Sequence, residues 1–415
     1  MVTKVGVRRT VCLAVVLFVG FLSWAGGGGE QATGEKVVRF GAPLSITGAW
    51  ARQGETVKYG YEVWKDTANE KGGIDINGEM YKIEIVYYDD KSDTSTAVKL
   101  TEKLITEDEI DFLLAPYGSG PTFAASTVSE KYQRPMIAGQ SSSFSSFDRG
   151  YRYLFGIMVD TRYYQKPAFE LAASLGVKTV AIAYENMIWG IDTSKACIDH
   201  AINNELEVVF YDKFDSKAMD LSSILLKINN VKPDFLAVNS YLQQGALLAR
   251  QMKDLGIDIP LVSFGYGPQE DVWRENTSDA GRYMISDTQF DATDTALKGK
   301  IIGTPADFAK KFSEKYGYIP GHGEANAAGC GVAFQLAMEN AGSLDVEKVV
   351  EALHNLDEMT FVGRLAFNYN GSRMHGPQYA IQIQSDDYSK KPVIVYPPES
   401  AKAEVIFPAP KWKER

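Results

Sequence analysis

Short apolar runs rich in β-branched and aromatic residues alternate along this chain with longer stretches whose apolar residues recur every three or four positions. The first pattern has the period of a strand and the second that of a helix. Val37–Pro43 predicts a strand and Val57–Glu70 a helix. Tyr81–Tyr88, Phe112–Ala115 and Pro135–Ala138 predict further strands, with helices over Ala97–Thr106 and Phe123–Tyr132 between them. The rhythm then restarts. Helices are expected at Gln165–Leu175, Thr193–Asn203, Leu221–Asn229 and Gly245–Leu255, and strands at Thr179–Tyr184, Val208–Tyr211, Phe235–Val238 and Pro260–Ser263. Later helices are predicted at Phe308–Tyr316, Ala325–Ala341 and Val346–Asn355. Phe361–Phe367 and Gln378–Gln384 are expected to pair as closing strands around an Asn370-Gly371 turn. Strand–helix alternation argues for parallel sheets covered by helices on both faces. The expectation is therefore two α/β lobes of similar build, without a residue-level repeat between them.

Two such lobes leave a cleft, and ligands of open parallel sheets sit beyond the carboxyl ends of the strands. The loops to inspect are Ser45–Gly54, Tyr117–Thr122, Gln140–Phe147, Glu185–Gly190, Asn239–Gln244 and Phe264–Gln269.

Composition narrows the picture. At 415 residues the chain has room for two or three domains. Hydrophobic residues make up 45% and charged residues 23%, ordinary for a globular protein. The net charge of −10 disfavours nucleic acid and anionic lipid as partners.

Lys4, Arg8 and Arg9 precede an almost wholly apolar run from Val11 to Trp24. A helix of that length spans about 21 Å, short of the roughly 30 Å of a bilayer core. Residues 1–25 are read as a cleaved export signal, with Ser23 and Ala25 as the small residues before the cut. An uncleaved anchor is the alternative. No Cys follows the run, where a lipid-anchored protein would carry one; Gly26–Gly29 stands there and opens a flexible linker to residue 36. The protein is accordingly expected in the periplasm or otherwise outside the cytoplasm. Cys197 and Cys330 are read as free buried thiols. The four histidines are scattered, with no zinc spacing, so neither a metal nor another cofactor is expected. The acidic run Asp89–Asp93 is read as capping and solvated surface.

Tyr117-Gly118-Ser119-Gly120 follows one strand and opens a helix, so backbone N–H groups and the Ser119 hydroxyl suit an anion. It is neither a Walker loop nor a nucleophile elbow. Gln140-Ser141-Ser142-Ser143 follows the next strand and adds neutral donors. Each loop alone also reads as a turn or cap; together they could hold a carboxylate without a cation. Trp50, Trp189, Tyr241 and Tyr266 occupy the other loops and could cover an apolar or aromatic ligand, or simply pack. No nucleophile–base pair is visible, so an enzyme is not expected.

These segments, in this order, resemble the periplasmic solute-binding proteins of ABC importers of the branched-chain amino acid (leucine/isoleucine/valine) type. Gly41-Ala-Pro-Leu-Ser-Ile-Thr-Gly48, Ala68-Asn-Glu-Lys-Gly-Gly-Ile74, Tyr88-Asp-Asp90, Gly118-Ser119, Met136-Ile137, Arg149-Gly150-Tyr151 and Phe361–Phe367 with Asn370-Gly371 carry the likeness from about residue 37 to 395. The resemblance implies a type I periplasmic binding protein fold: two doubly wound lobes joined by three crossovers, near Val159–Tyr163, Ser286–Phe290 and Met359–Val362. It places 37–160 and 288–360 in lobe one, 161–287 and 361–400 in lobe two, and leaves 401–415 as a tail. It implies a monomeric receptor that binds a small amino acid or related carboxylate through Ser119, Gln140 and Ser142, with Trp189 and Tyr241 from the second lobe, and hands it to a membrane permease. A sensor of the same fold serving a signalling partner is the alternative. Two departures stand out. Tyr266 falls about where the branched-chain binders have an acid for the ligand ammonium, with Glu270 further on, and Arg162 falls near another acidic position. Both disfavour a simple α-amino acid.

Overall fold

The computed structural model describes residues 35–415. The expected export signal and most of the linker lie outside the described residues. The chain from Lys36 onward forms two lobes within one compact unit.

Lobe one opens with β1 (Val37–Leu44), α1 (Ala51–Glu70), β2 (Ile74–Ile76), β3 (Glu79–Asp89), α2 (Thr94–Thr106) and β4 (Phe112–Leu114). It continues with α3 (Ser119–Tyr132), β5 (Met136–Ala138), α4 (Phe144–Phe147) and β6 (Leu154–Gly156). The sheet order is β2-β3-β1-β4-β5-β6, parallel except for the β2–β3 hairpin. Lobe two follows as α5 (Lys166–Ser174), β7 (Thr179–Glu185), α6 (Ile188–Asn203), β8 (Glu207–Phe214), α7 (Ser222–Val231) and β9 (Phe235–Asn239). Then come α8 (Leu242–Asp254), β10 (Leu261–Phe264), α9 (Asp271–Thr277) and β11 (Ile285–Thr288). The chain returns to lobe one for α10 (Pro305–Tyr316), α11 (His322–Ala341), α12 (Val346–His354) and the hairpin β12 (Asp357–Thr360) and β13 (Gly363–Ala366). It ends in lobe two with β14 (Tyr379–Gln382) and β15 (Val393–Tyr396), which extend the sheet to β15-β14-β11-β10-β9-β7-β8. The order β8-β7-β9-β10-β11 repeats β3-β1-β4-β5-β6, so each sheet has one switch point, beside β1 and beside β7.

Period-two burial explains the layers. On β7 and β9, Ala181, Ala183, Leu236 and Val238 face one core, while Val180, Ile182, Phe235 and Ala237 face the other. Each fully buried Leu or Phe contributes roughly 1.5–3 kcal/mol of transfer free energy. In lobe one, α1 buries Val57, Tyr61, Trp64 and Ala68 on one stripe. That stripe lies so close to α11 that a Cβ on Gly331 would sit 1.9 Å from the Trp64 ring. Glycine at 331 is thus a packing requirement.

Three crossings join the lobes. The first runs from Ile157 to Gln165 and the second from Thr288 to Phe290, close to expectation. The third is displaced. Phe361, Val362, Leu365 and Phe367 are buried in the lobe-one core, so the chain crosses between Phe367 and Tyr379, not at Met359–Val362. For the same reason Phe361–Phe367 and Gln378–Gln384 are not partners: Gly363–Ala366 pairs with Asp357–Thr360, and Tyr379–Gln382 pairs with β11 and β15. Residues 401–415 are no loose tail either. Phe407 packs on one lobe-two core and Trp412 on another, and the Trp412 indole donates to the Ile257 carbonyl at 2.8 Å.

The crossings are stitched together. Val159 N–H donates to Gln289 Oε1 at 3.1 Å, and Gln165 N–H donates to Asp287. The wholly buried Arg373 guanidinium donates to the carbonyls of Ile157, Val362 and Arg364. Cys197 and Cys330 are free and buried, one in each lobe.

Candidate functional site

The candidate site follows from the strand ends. Asp89, the last residue of β3, and Asp90 just after it brace the loop after β1: Asp89 accepts from the backbone of Ile46 and Thr47, and Asp90 from the Ser45 hydroxyl at 2.8 Å. Asp93 caps α2 by accepting from Thr96 N–H. After β4, Gly118 takes φ 88°, a left-handed value that glycine adopts without a Cβ clash. The turn lets α3 start at Ser119, whose hydroxyl and N-terminal amides then face the cleft.

A chamber lies between the lobes. Tyr117, Ser119, Gln140, Ser142 and His322 line it from lobe one, and Trp189, Tyr241 and Tyr266 from lobe two. Met158 and Tyr164 of the first crossing form its floor. The walls stand close, with about 30 Å³ between them. Trp189 sits in the first turn of α6, and its indole N–H donates across the cleft to Ser142 Oγ at 3.0 Å. Its ring meets Tyr164 edge-on at 5.5 Å and Tyr241 at 5.7 Å. Tyr266 lies 6.3 Å from the His322 ring. Tyr241 caps α8, and its N–H donates to the Glu185 carboxylate at 2.7 Å. Gln140 is fixed by its amide donating to the Gly323 carbonyl at 2.8 Å.

The chamber wall carries no formal charge. Burial pushes the phenols of Tyr117, Tyr164, Tyr241 and Tyr266 up, so they stay protonated. Burial pulls His322 down to about 4, which leaves a neutral imidazole at pH 7. Its Nδ1 is buried without a hydrogen-bond partner among the described residues. Such a wall offers hydroxyl, amide and helix-terminal N–H donors to an anion, and ring faces to a planar or apolar body. Ser119 Oγ accepts from Ser143 N–H at 3.4 Å and has no imidazole partner among the described residues. No group of His, Cys, Asp and Glu suited to a metal ion occurs among the described residues.

The structure thus brings together Ser119, Gln140, Ser142, Trp189, Tyr241 and Tyr266 of the residues expected from sequence. It separates three others. Ser141 is buried and does not line the chamber. Trp50 lines a neighbouring cavity, 6.5 Å from the Tyr241 ring. Arg162 does not line the chamber: it pairs with Asp148 and Asp160 and lies over the Phe144 ring. Tyr117, Met158, Tyr164 and His322 were not singled out by sequence. Tyr117 carried the one available signal, lying in a loop already under inspection; His322 opens a helix after no strand.

The comparisons agree with this architecture. Residues 37–388 match the family model described as periplasmic binding protein. The chain is 27% identical over 387 residues to Leu/Ile/Val-binding protein homolog 8 of Brucella abortus, covering 89% of this chain and 93% of that protein. Its fold superposes with a TM-score of 0.75 on a branched-chain amino acid transporter substrate binding protein from Streptococcus pneumoniae in complex with isoleucine (21% identity, 87% of this chain, 100% of that one). It superposes with a TM-score of 0.72 on an ABC transporter solute binding protein from R. palustris in complex with benzoate (17% identity, 89% and 98%). With the family model matched along nearly the whole described chain, and with two switch-point lobes closed over one chamber, the chain belongs to the periplasmic binding protein family, has its type I fold, and is similar to that family's Leu/Ile/Val-binding protein homologues.

Proposed function

We propose that this protein is an extracytoplasmic receptor that captures a small carboxylate, preferably one with a planar or aromatic body, between its two lobes and delivers it to an ABC-type permease. The carrying observation is the chamber itself: neutral donors Ser119, Gln140 and Ser142 on one side, and rings Trp189, Tyr241 and Tyr266 on the other, with no charged side chain on its wall. The carboxylate lies at the start of α3, where hydroxyls and helix-terminal N–H groups replace its water. The rings cover the body of the ligand. Nothing on the wall matches an ammonium attached beside the carboxylate. One structural neighbour, which holds benzoate, supports a planar carboxylate; another holds isoleucine, whose α-ammonium this wall does not match. The role is binding, without turnover, and the ligand stabilises the form in which both lobes touch it.

Thermal unfolding of the exported chain against benzoate, phenylacetate, caproate and leucine tests this. A ligand at about 1,000 times its dissociation constant adds about 4 kcal/mol of stability. Benzoate or phenylacetate is expected to raise the midpoint by several degrees. A rise with leucine alone, or with none of the four, contradicts the proposal.

A further inference from the structure

Beyond the chamber the cleft opens into a second cavity of about 270 Å³. Tyr117 and Tyr241 stand between the two spaces and line both. Trp50 and Glu185 line only the outer one. Glu185 is 3% exposed. Its carboxylate accepts from Tyr241 N–H, and no cation among the described residues offsets its burial, which pushes the acid up to about 7. A buried acid left so poorly matched calls for a partner the chain itself does not supply. The aromatic rings add to that demand. Trp50 lies 6.1 Å from Tyr117 and 6.5 Å from Tyr241, tilted by 56° and 35°, so ring faces as well as a carboxylate border one space. Both attract a cation. Lys217, the other charged residue on this wall, is exposed to solvent. Another cleft wall carries Glu270, Asp271 and Glu324, but it also carries Arg52 and Lys391, so these acids already have cations beside them.

We propose that the cavity walled by Glu185, Trp50, Tyr117 and Tyr241 holds an ammonium group at the far end of the bound acid, so that the receptor takes a carboxylate with a remote cation in preference to an α-amino acid. The inference rests on the carboxylate reading above. Ser119, Gln140 and Ser142 line the chamber and not the outer cavity, while Glu185 lines the outer cavity and not the chamber. An α-ammonium is one carbon from its carboxylate and stays with it on the chamber side of the two tyrosine rings, whereas a terminal one extends several bonds further, towards the outer cavity.

Calorimetric titration with caproate, its α-amino derivative norleucine and the isomeric ε-aminocaproate separates the cases. The wild type is expected to bind ε-aminocaproate about tenfold or more tighter than the other two. Glu185→Gln keeps an acceptor for Tyr241 N–H and should reduce that preference to near unity with caproate binding unchanged. Trp50→Leu should weaken the preference in the same direction, and it serves as the test if Glu185→Gln lowers the unfolding midpoint. Equal binding of caproate and ε-aminocaproate, tighter binding of norleucine, or a preference that survives both variants overturns this inference and leaves the carboxylate reading standing. Failure of all three acids to bind overturns this inference, and failure of benzoate as well overturns the carboxylate reading.

Discussion

Asp287 is a single residue whose environment sets a measurable property of the fold. It lies at the second crossing, buried, with one oxygen taken by Gln165 N–H and the other unpaired. Burial pushes its carboxyl from 3.8 to about 7. A carboxyl raised in the folded state is protonated there while the unfolded chain has already lost the proton. Stability is therefore highest below about pH 4 as far as this group is concerned, falls as the pH rises towards 7, and is level above. The loss is on the order of 4 kcal/mol at most. Urea unfolding between pH 5 and 8 should show a decline that Asp287→Asn flattens; an unchanged slope in the variant would refute the assignment. Sequence displayed this residue only as one acid in a predicted crossing. By contrast Ser119 and Ser142 were legible, because hydroxyls after adjacent parallel strands have few places to point except the cleft. Arg162 was misjudged for a physical reason: Asp148, fourteen positions earlier in the chain, is brought beside it by the fold and pairs with it.

At the scale of elements, the first turn of α6 serves as a clasp. Trp189 and Asp192 are three residues apart and so share a helix face. Trp189 donates to Ser142, and the buried Asp192 accepts from Ser145 N–H at 3.0 Å and its hydroxyl at 2.9 Å. All of these bonds cross between lobes. Hydrogen bonds to a charged group contribute about 1.5–3 kcal/mol each way they are measured. Asp192→Ala is expected to speed ligand dissociation by about tenfold or more in stopped flow, with association little changed, since the clasp forms after entry. A dissociation rate equal to wild type would remove the clasp from the account. Sequence placed Trp189 in a loop because the start of α6 is masked: Ile188, Trp189 and Gly190 lack a capping signal, and the N-cap Met187 makes no side-chain bond. The start of α1 was lost likewise, since its first turn, Ala51-Arg52-Gln53-Gly54, carries no apolar period. The β12–β13 hairpin was missed because its partner strand, Asp357–Thr360, is largely polar at the surface.

For the whole molecule, the two-lobe architecture was legible because each sheet repeats the same alternation of buried strand and amphipathic helix. The path of the third crossing was not, because burial of Phe361 and Phe367 in lobe one is a tertiary choice that local pattern leaves open. The crossings confine relative motion to a hinge, while the chamber draws on both lobes. The space between its walls is only about 30 Å³, so seating a ligand requires a somewhat wider lobe angle than the one described. The receptor account then stands on one contact more than any other, the Ser119 hydroxyl at the start of α3. Titration of benzoate into the wild type and Ser119→Ala measures it directly. The account predicts saturable binding to the wild type, a loss in the variant of about 1–3 kcal/mol, or roughly five- to 150-fold, and unchanged urea unfolding. Equal affinity in the two proteins, or no benzoate binding by the wild type, would contradict it.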